Sequence, residues 1–469
     1  MHLHDIILYE MRLIVSKDNK MIISHLTDVE GNIRYFNQWV SRSPYIALKE
    51  GALSFPNPQG ECKFVFGGDF CDKGSGDLAL GNLLLQFKLK YPNDVFLIAG
   101  NREIKYRRFS YELTSNIRER LLYNAPPFWR PKTLPRDFLI QCMLAEGFKS
   151  VETADIKSYI YNKSIKACQT LYLKWMLTET MGCGSFHRKP TTFEYRRQEL
   201  ATHSKTPLEA ISDEAVTQSF IDAVAPEGLV TNYLQHTQIG KIIGDTLFIH
   251  GAVTPENRGY VPGKTGRCSN AAEWIAELNA WYALQIEEWV SKPKESHLHP
   301  PGHKPLDHYV VANPRSIVTS NWYRNGKICP VPKEVVQFLN ESGIYRVVSG
   351  HQPFSDFPLI LRQPNLDVIS GDTSYSDTQA PNDNRGQAIH NLAILQEPDE
   401  SVVVIDALRK DGSAMQLTLP SRKAVDAGED IAIGHFTATN RLIRPLNQTT
   451  LVSSQVDGFE VNDAPFNAF

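Results

Sequence analysis

The 469-residue sequence has no run of apolar residues approaching the eighteen needed to cross a bilayer, so no transmembrane span is predicted. Its first twenty residues contain a short apolar stretch but neither a basic region nor a small-residue cleavage site, so we expect no signal peptide. The seven cysteines are scattered and never form a Cys-x-x-Cys pair. This argues against a disulfide framework or a zinc ribbon and favours a reducing compartment, so we expect a cytoplasmic protein, with delivery elsewhere left open.

The sequence also has little net charge. A formal charge of -3 provides no basic footprint for nucleic acid or an anionic membrane surface, so neither is expected as a partner. The 42% hydrophobic and 22% charged residues are ordinary for a packed protein and argue against disorder. The length suits either two or three domains, or one large domain that carries an insertion.

Six short apolar runs end in polar or glycine-containing turns. They are MIISHL (21–26), KFVFGGD (63–69), VFLIAGN (95–101), TLFIHG (246–251), YRVVSGH (345–351) and LDVISGD (366–372). Runs of this length that are rich in Val, Ile and Phe predict buried strands. Helical patterns lie between several of them, as at 77–90 and 332–343, so the sequence predicts an α/β fold with polar side chains at the carboxyl ends of its strands.

A mainly helical segment interrupts this alternation. A further helix is predicted over 271–290, with Asn270 and Glu273 at capping-box spacing. We interpret the helical segment and this helix as a cap over the core. Past residue 390 the pattern favours antiparallel strands, and the last fifty residues are polar and irregular. The predicted segments are a core (20–103 and 241–420), a helical cap insertion (104–240) and a C-terminal tail (421–469).

Polar residues with metal-binding chemistry gather at the predicted strand ends. They are Asp28, Glu30, Asp69, Asp72, Asn101, His250 and His351. Oxygen ligands combined with imidazoles suit a pair of divalent cations such as Mn, Fe or Zn. Two such ions about 3.5–4 Å apart can clamp a phosphate and generate a hydroxide between them. Asp69 follows two glycines that allow close backbone approach, so it is the candidate bridging ligand.

The ordered motifs D-x-E-G-N, G-G-D-x-x-D-K-G, G-N-R-E, H-G and G-H resemble the calcineurin-like metallophosphoesterase superfamily. Its corresponding blocks are D-x-H, G-D-x-x-D, G-N-H-E/D, H and G-H. Within it, IHGAVTPEN (249–257) and the block from 314 to 353 are similar to the phosphoprotein-phosphatase branch. Arg324 precedes His351 by 27 positions in that block, as that branch's phosphate-binding arginine does. The resemblance covers about 20–110 and 240–375.

This resemblance implies an α/β fold, a metallophosphoesterase-type β-sandwich flanked by helices, with the inserted, mainly helical cap. It implies two divalent metal ions, with Mn expected first and Fe, Zn or Mg as alternatives. One metal would be held by Asp28, the residue at 30 (Glu30) and Asp69, and the other by Asp69, Asn101, His250 and His351. The implied catalytic residues are Asp72, Arg102 and Arg324, and the expected phosphate-binding residues are Lys73, Arg102 and Arg324. The implied reaction is hydrolysis of a phosphomonoester by a hydroxide that bridges the metals.

Three residues depart from the family pattern. Glu30 stands in place of a histidine, Lys73 in place of an arginine, and Arg102 in place of the histidine that protonates the leaving group. An arginine cannot serve as that acid, although it can stabilise a departing oxyanion. Losing a general acid typically costs about 10²–10⁴ in rate, and least for a phenolate leaving group with a pKa near about 10. We therefore expect a preference for aryl phosphates, phosphotyrosine included, over phosphoserine.

Alternatives remain at this point. The substrate could be a nucleotide or dinucleoside polyphosphate instead of a phosphorylated protein or small phosphomonoester, or the chain could be a catalytically weak protein-binding scaffold. Glu30 alone could be a solvated turn residue, and His25 a core residue or a substitute ligand. The cations Lys105, Arg107 and Arg108 could form either the cap surface or a rim that attracts substrate.

Overall fold

The computed structural model describes residues 21–56, 61–182, 190–292, 298–311, 313–324, 327–354, 357–373, 388–397, 400–421, 431–438, 441–445 and 450–466. Its strands are β1 (Met21–Leu26), β2 (Ala47–Lys49), β3 (Ala52–Ser54), β4 (Glu61–Phe66), β5 (Val95–Ile98), β6 (Thr237–Gln238), β7 (Gly240–Ile243), β8 (Thr246–Ile249), β9 (Tyr323–Arg324), β10 (Lys327–Ile328), β11 (Arg346–Ser349), β12 (Leu359–Gln363), β13 (Leu366–Ser370), β14 (Ala388–Gln396), β15 (Ser401–Arg409), β16 (Ala414–Pro420), β17 (Ala432–Gly434), β18 (Phe436–Ala438), β19 (Arg441–Pro445), β20 (Leu451–Asp457) and β21 (Glu460–Pro465). Its α-helices are α1 (Ile33–Arg42), α2 (Asp77–Lys90), α3 (Asn101–Tyr106), α4 (Arg108–Glu112), α5 (Ile117–Tyr123), α6 (Pro135–Ala145), α7 (Thr153–Asn162), α8 (Ile165–Trp175), α9 (Thr192–Ser204), α10 (Asp213–Ala223), α11 (Leu229–Gln235), α12 (Ala271–Ser291), α13 (Pro305–Tyr309) and α14 (Lys333–Asn340).

Two mixed sheets form the core. The first has seven strands in the order β16-β15-β14-β1-β4-β5-β6, and the second has six in the order β17-β12-β13-β11-β8-β7. Strands β1, β4, β5 and β6 run parallel, as do β8, β11 and β13. The carboxyl ends of parallel strands meet at one edge of a sheet, so the polar turns that follow them can converge.

The sheets pack face to face with helices outside them. Apolar side chains from both inner faces form one cluster, which includes Ile23 and Val65 from the first sheet and Phe248 and Val348 from the second. On the outer face of the first sheet, the ring centroid of Trp39 in α1 lies 5.9 Å from that of Phe64. Burial on both faces accounts for the continuous apolar runs of these strands, and the α/β sandwich expected from the sequence is confirmed.

The segment predicted to be a cap is helical. Between Asn101 and Gln235 the described residues form helices α3 to α11, a π-helical turn (Met176–Thr180) and a short 3₁₀ turn (Leu208–Ala210), with no strand among them. The domain boundaries drawn from the sequence stay a prediction. No helix in the described part of the chain is long and apolar enough to cross a membrane.

The C-terminal segment differs from the irregular tail that was expected. Its described residues form β17 to β21, and β17 pairs antiparallel with β12 in the second sheet. In β20 and β21 Val452 and Val461 are buried, and most of the other residues are polar and partly or fully exposed. Ser, Gln, Asn and Asp have low strand propensity, so local sequence carried little signal, and pairing with neighbouring strands decided the structure.

Candidate metal centre and active site

The predicted site residues lie in tight turns that directly follow core strands. Five of them have left-handed backbone angles: Asp28 (φ 51°), Glu30 (φ 49°), Asp69 (φ 55°), Asp72 (φ 111°) and His351 (φ 70°). The described residues contain nine non-glycine residues with positive φ, so these five form the majority. Such backbone angles cost about 1–3 kcal/mol each and persist where surrounding structure imposes them, most often at functional sites.

Glycines let two of these turns touch. A Cβ on Gly68, which has φ 99°, would lie 2.7 Å from the backbone nitrogen of Gly100 and 2.8 Å from His250 Nδ1. A Cβ on Gly100 would in turn overlap the backbone nitrogen and the carboxylate of Asp69. The turns after β4 and β5 therefore approach as closely as they do because both positions lack side chains.

Four predicted ligands converge where these turns meet the turn after β8. The ligand atoms of Asp69, His250 and His351 all lie within 4.8 Å of one another. His250 Nε2 lies 3.3 Å from Asp69 Oδ1 and 3.2 Å from Asn101 Oδ1. Carboxylate, amide and imidazole groups that converge on one point form a set of ligands that suits Mn, Fe or Zn.

The orientation of His250 fits a metal ligand. Its Nδ1 lies 2.8 Å from the carbonyl oxygen of Gly67, which can only accept, so Nδ1 is the donor and Nε2 faces the cluster. Burial alone would lower the pKa of His250, but the carboxylates of Asp69 and Asp28 raise it to about 10. Without a cation, a proton on Nε2 therefore balances these carboxylates, and a metal that binds there would displace it.

Asp28 and Glu30 lie beside this cluster in different environments. Asp28 accepts hydrogen bonds from the Thr27 hydroxyl at 2.5 Å and from the His351 backbone N–H at 3.1 Å. Burial raises the pKa of Asp28 to about 7. Glu30 Oε1 instead pairs with two cations, Arg102 Nε at 2.7 Å and Lys73 Nζ at 3.1 Å.

Arg102 occupies the centre of a group of carboxylates. Its Nε lies 2.7 Å from Glu30 Oε1 and 3.2 Å from Asp69 Oδ2, and its Nη1 lies 3.0 Å from Asp72 Oδ2. Its backbone N–H donates to Asp69 Oδ1 at 2.9 Å. Only 13% of its side chain is exposed. The Arg102 side chain was predicted to contact substrate. In the fold it is surrounded by the carboxylates of Glu30, Asp69 and Asp72.

A second layer of residues supports Asp72. Its backbone N–H donates to Asp77 Oδ1 at 3.0 Å, and the Tyr106 hydroxyl lies 3.4 Å from Asp72 Oδ1. The Thr192 hydroxyl in α9 donates to the Asp72 carbonyl, and Arg196 Nη2 lies 3.3 Å from Asp77 Oδ2. Helix α9 belongs to the predicted cap, so the cap helps to hold this turn of the site.

Glu103 is a supporting residue that the sequence reasoning did not single out. Its wholly buried carboxylate accepts from the Gly100 N–H at 2.7 Å and from the Asp69 N–H at 3.1 Å, and so joins the turns after β5 and β4. Burial, together with the nearby Asp69 carboxylate, raises its pKa to about 7. The available signal was its position in the G-N-R-E motif, since an acid three residues after an N-cap often closes a capping box.

Other predicted residues lie in different places. The backbone of Arg324 is in β9, but its side chain lies outside the described residues. His25 is fully buried and stacks on Phe248 at a centroid distance of 5.9 Å, so it is a core residue. Asp372 is buried just after β13. Arg107 and Arg108 are also buried in ion pairs, so they form neither a cap surface nor a rim.

Part of the chain matches a known protein family. Residues 21–180 match the family model of the calcineurin-like phosphoesterases. No curated protein matches the chain. One similar solved structure is a protein serine/threonine phosphatase from Saccharomyces cerevisiae with similarity to human phosphatase PP5, at 11% identity and a TM-score of 0.32, covering 87% of this chain and 81% of that chain.

The family match extends over about the first third of the chain. Within residues 21–180 it confirms the superfamily resemblance of the motifs. The matched family consists of phosphoesterases, and the described residues include a group, Asp69, His250 and His351, with the geometry to hold a metal ion.

Proposed function

We propose that the protein is a metal-dependent phosphomonoesterase of the phosphoprotein-phosphatase branch, with a preference for phosphotyrosine and other aryl phosphates. The observation that carries the metal dependence is the convergence of Asp69, Asn101, His250 and His351, from four separate turns, on one point. A bound ion such as Mn²⁺ would supply Lewis-acid chemistry, polarising the phosphate and activating the attacking water. The branch assignment rests on the sequence motifs at 249–257 and 314–353.

The residues of the chain have separate roles in this proposal. Asp69, Asn101, His250 and His351 hold the cation. Arg324 binds phosphoryl oxygens, as its spacing from His351 suggests. Lys73 and Arg102 lie beside the site, where their charges offset its carboxylates. We expect both of them also to contribute to phosphate binding, as the sequence predicts.

The preference for aryl phosphates follows from the surroundings of Asp72. This carboxylate, which is wholly buried, lies 3.0 Å from Arg102 Nη1. A guanidinium does not release its proton near neutral pH, so this pair cannot protonate a leaving alkoxide. A phenolate departs without that proton far more readily than a serine alkoxide.

The proposal is tested with peptides of equal sequence that carry phosphotyrosine or phosphoserine. With Mn²⁺ present, we expect kcat/KM on phosphotyrosine to exceed that on phosphoserine by at least about tenfold, less than the roughly 10²–10⁴ that a missing general acid costs, because a phenolate also loses part of that assistance. Arg102→His, which restores an ionisable group beside Asp72, should narrow the ratio. Asp69→Asn should lose turnover on both peptides and on p-nitrophenyl phosphate.

Three results would contradict this proposal. A higher kcat/KM on phosphoserine would overturn the substrate preference. Faster hydrolysis of diadenosine tetraphosphate than of either peptide would favour a polyphosphate hydrolase. A wild-type protein that binds no metal and turns over none of these substrates would be a protein-binding scaffold.

A further inference from the structure

Of the three residues that depart from the family pattern, Arg102 and Lys73 both contact the third, Glu30. Glu30 Oε1 lies 2.7 Å from Arg102 Nε and 3.1 Å from Lys73 Nζ. These residues come from the turns after β1, β5 and β4, so they are distant in sequence. An imidazole at position 30 would offer at most one lone pair, whereas a carboxylate can accept from both cations. The departures therefore form one interacting group.

This group lies at the position expected for one of the two metals. The resemblance placed one cation between Asp28, the residue at 30 and Asp69. Arg102 Nε lies between Glu30 Oε1 and Asp69 Oδ2, at 2.7 Å and 3.2 Å. The guanidinium thus contacts two of the three carboxylates that would ligate that cation.

Asp69, the expected bridging ligand, contacts a different partner with each oxygen. Its Oδ1 lies 3.3 Å from His250 Nε2, on the side of the imidazole cluster. Its Oδ2 lies 3.2 Å from Arg102 Nε. One carboxylate therefore joins the imidazole cluster to a side chain that already carries a positive charge.

Arg102 is held in this position. It is at the start of α3, its backbone N–H donates to Asp69 Oδ1 at 2.9 Å, and its Nη1 lies 3.0 Å from Asp72 Oδ2. The Glu30, Asp69 and Asp72 side chains are no more than 5% exposed, so water screens their charges little. A dication placed among the same oxygens would meet strong repulsion from the guanidinium and would have to displace it.

We propose that the guanidinium of Arg102 takes the place of one of the two metal ions, so that the chain binds a single divalent cation. That cation is held by the cluster of Asp69, Asn101, His250 and His351. This inference rests on the proposed function for the existence of the metal site, and it deepens that proposal by stating how many ions the site holds and why.

The inference is tested by measuring metal content instead of activity. The full chain is stripped with a chelator, dialysed against Mn²⁺ and analysed for bound Mn per chain. We expect one Mn in the wild type and two in the Glu30→His/Arg102→His double variant, which restores the family pattern. Arg197→Ala, which removes a cation near Glu194 on α9, is the matched control and should bind one.

Electron paramagnetic resonance provides an independent measurement. One Mn²⁺ ion gives an isolated-ion signal, whereas two ions sharing the Asp69 carboxylate give an exchange-coupled signal. We expect the isolated signal in the wild type and the coupled signal in the double variant. Circular dichroism confirms that each variant is folded, and Arg102→Ala is the second variant if the double variant does not fold.

The outcomes separate the two proposals. Two Mn per wild-type chain, with a coupled signal, would overturn the inference even if phosphatase activity were present. Variants at Arg102 that fold and still bind one Mn would also overturn it, because Arg102 would then not exclude the second ion. One Mn without turnover of any phosphoester would overturn the proposed function and leave the inference standing. A wild type that binds no Mn would overturn both.

Discussion

A buried ion pair in the helical segment is predicted to contribute strongly to the free energy of unfolding. Arg108 and Glu112 are 0% and 1% exposed, and two bonds join them, Nε to Oε1 at 2.7 Å and Nη2 to Oε2 at 3.0 Å. Glu112 also accepts from the Gly302 N–H at 3.1 Å and the Tyr172 hydroxyl at 3.2 Å. Arg108 Nη1 donates to Thr180 Oγ1 at 3.0 Å. One carboxylate therefore joins α4 to two other parts of the chain.

Glu112→Ala removes four hydrogen bonds at once. A buried guanidinium that loses its carboxylate costs about 3–5 kcal/mol. The Gly302 N–H and the Tyr172 hydroxyl lose their acceptor, at about 1–3 kcal/mol each where water cannot enter. We expect a loss of at least about 4 kcal/mol, a large part of the roughly 5–15 kcal/mol that stabilises a typical domain.

The assay is urea unfolding followed by tryptophan fluorescence. In the double variant Arg108→Met/Glu112→Leu no charge stays buried without a partner, so it should lose markedly less than Glu112→Ala. Asp94→Ala is the control, because Asp94 is 44% exposed and its pair with Lys63 should contribute less than about 1 kcal/mol. A Glu112→Ala loss no greater than that of the control, or a double variant as unstable as the single one, would refute this reasoning.

Two further predictions concern pH and backbone packing. Burial lowers the pKa of His25 and of His390 to about 3, so below the unfolded value of about 6.5 the unfolded chain takes up protons that the folded chain does not. Each of these histidines therefore destabilises the fold as pH falls from about 6.5 toward 3, by roughly 2 kcal/mol at pH 5, and His390→Leu should lose less stability than the wild type between pH 7 and 5 in unfolding experiments. Gly100→Ala would force a Cβ into Asp69 and should weaken Mn²⁺ binding, measured by calorimetry, by at least about tenfold, and destabilise the fold by about 1–3 kcal/mol.

Each of these two predictions has a matched control. His203 is exposed, so His203→Gln should leave the pH dependence of unfolding unchanged, and a pH dependence in His390→Leu identical to that of the wild type would contradict the argument from buried histidines. A Cβ on Gly147 would meet no atom within 4 Å, so Gly147→Ala should leave Mn²⁺ affinity unchanged. Unaltered affinity in Gly100→Ala would show that the turns can separate without disturbing the site.

Much of the fold could be predicted because its signals are local. The strands predicted from sequence are short apolar runs, and each of the predicted ligands Asp69, Asn101, His250 and His351 follows such a run closely. A strand that is buried on both faces must be apolar throughout, and the carboxyl ends of parallel strands meet. Both rules can be applied to short stretches of sequence, so the sequence could indicate which polar side chains converge.

Residues whose partners lie far along the chain could not be assigned in the same way. Arg107 donates to Asp307, which is 200 positions away, and Arg108 contacts Thr180, which is 72 positions away. The sequence presented both arginines only as part of a cationic run. Their burial depends on where helices from other parts of the chain lie, and no local pattern of charges encodes that.

The sequence by itself indicated the strands, the resemblance to calcineurin-like phosphoesterases and the four side chains that converge, because strand propensity and motif order are properties of short stretches. The tertiary structure alone decided what surrounds Arg102. From sequence it was an arginine where the family has a histidine. In the fold it lies between Glu30, Asp69 and Asp72, which the turns after β1 and β4 bring together. The strength of a charge's interactions depends on distance and burial, and the folded chain sets both.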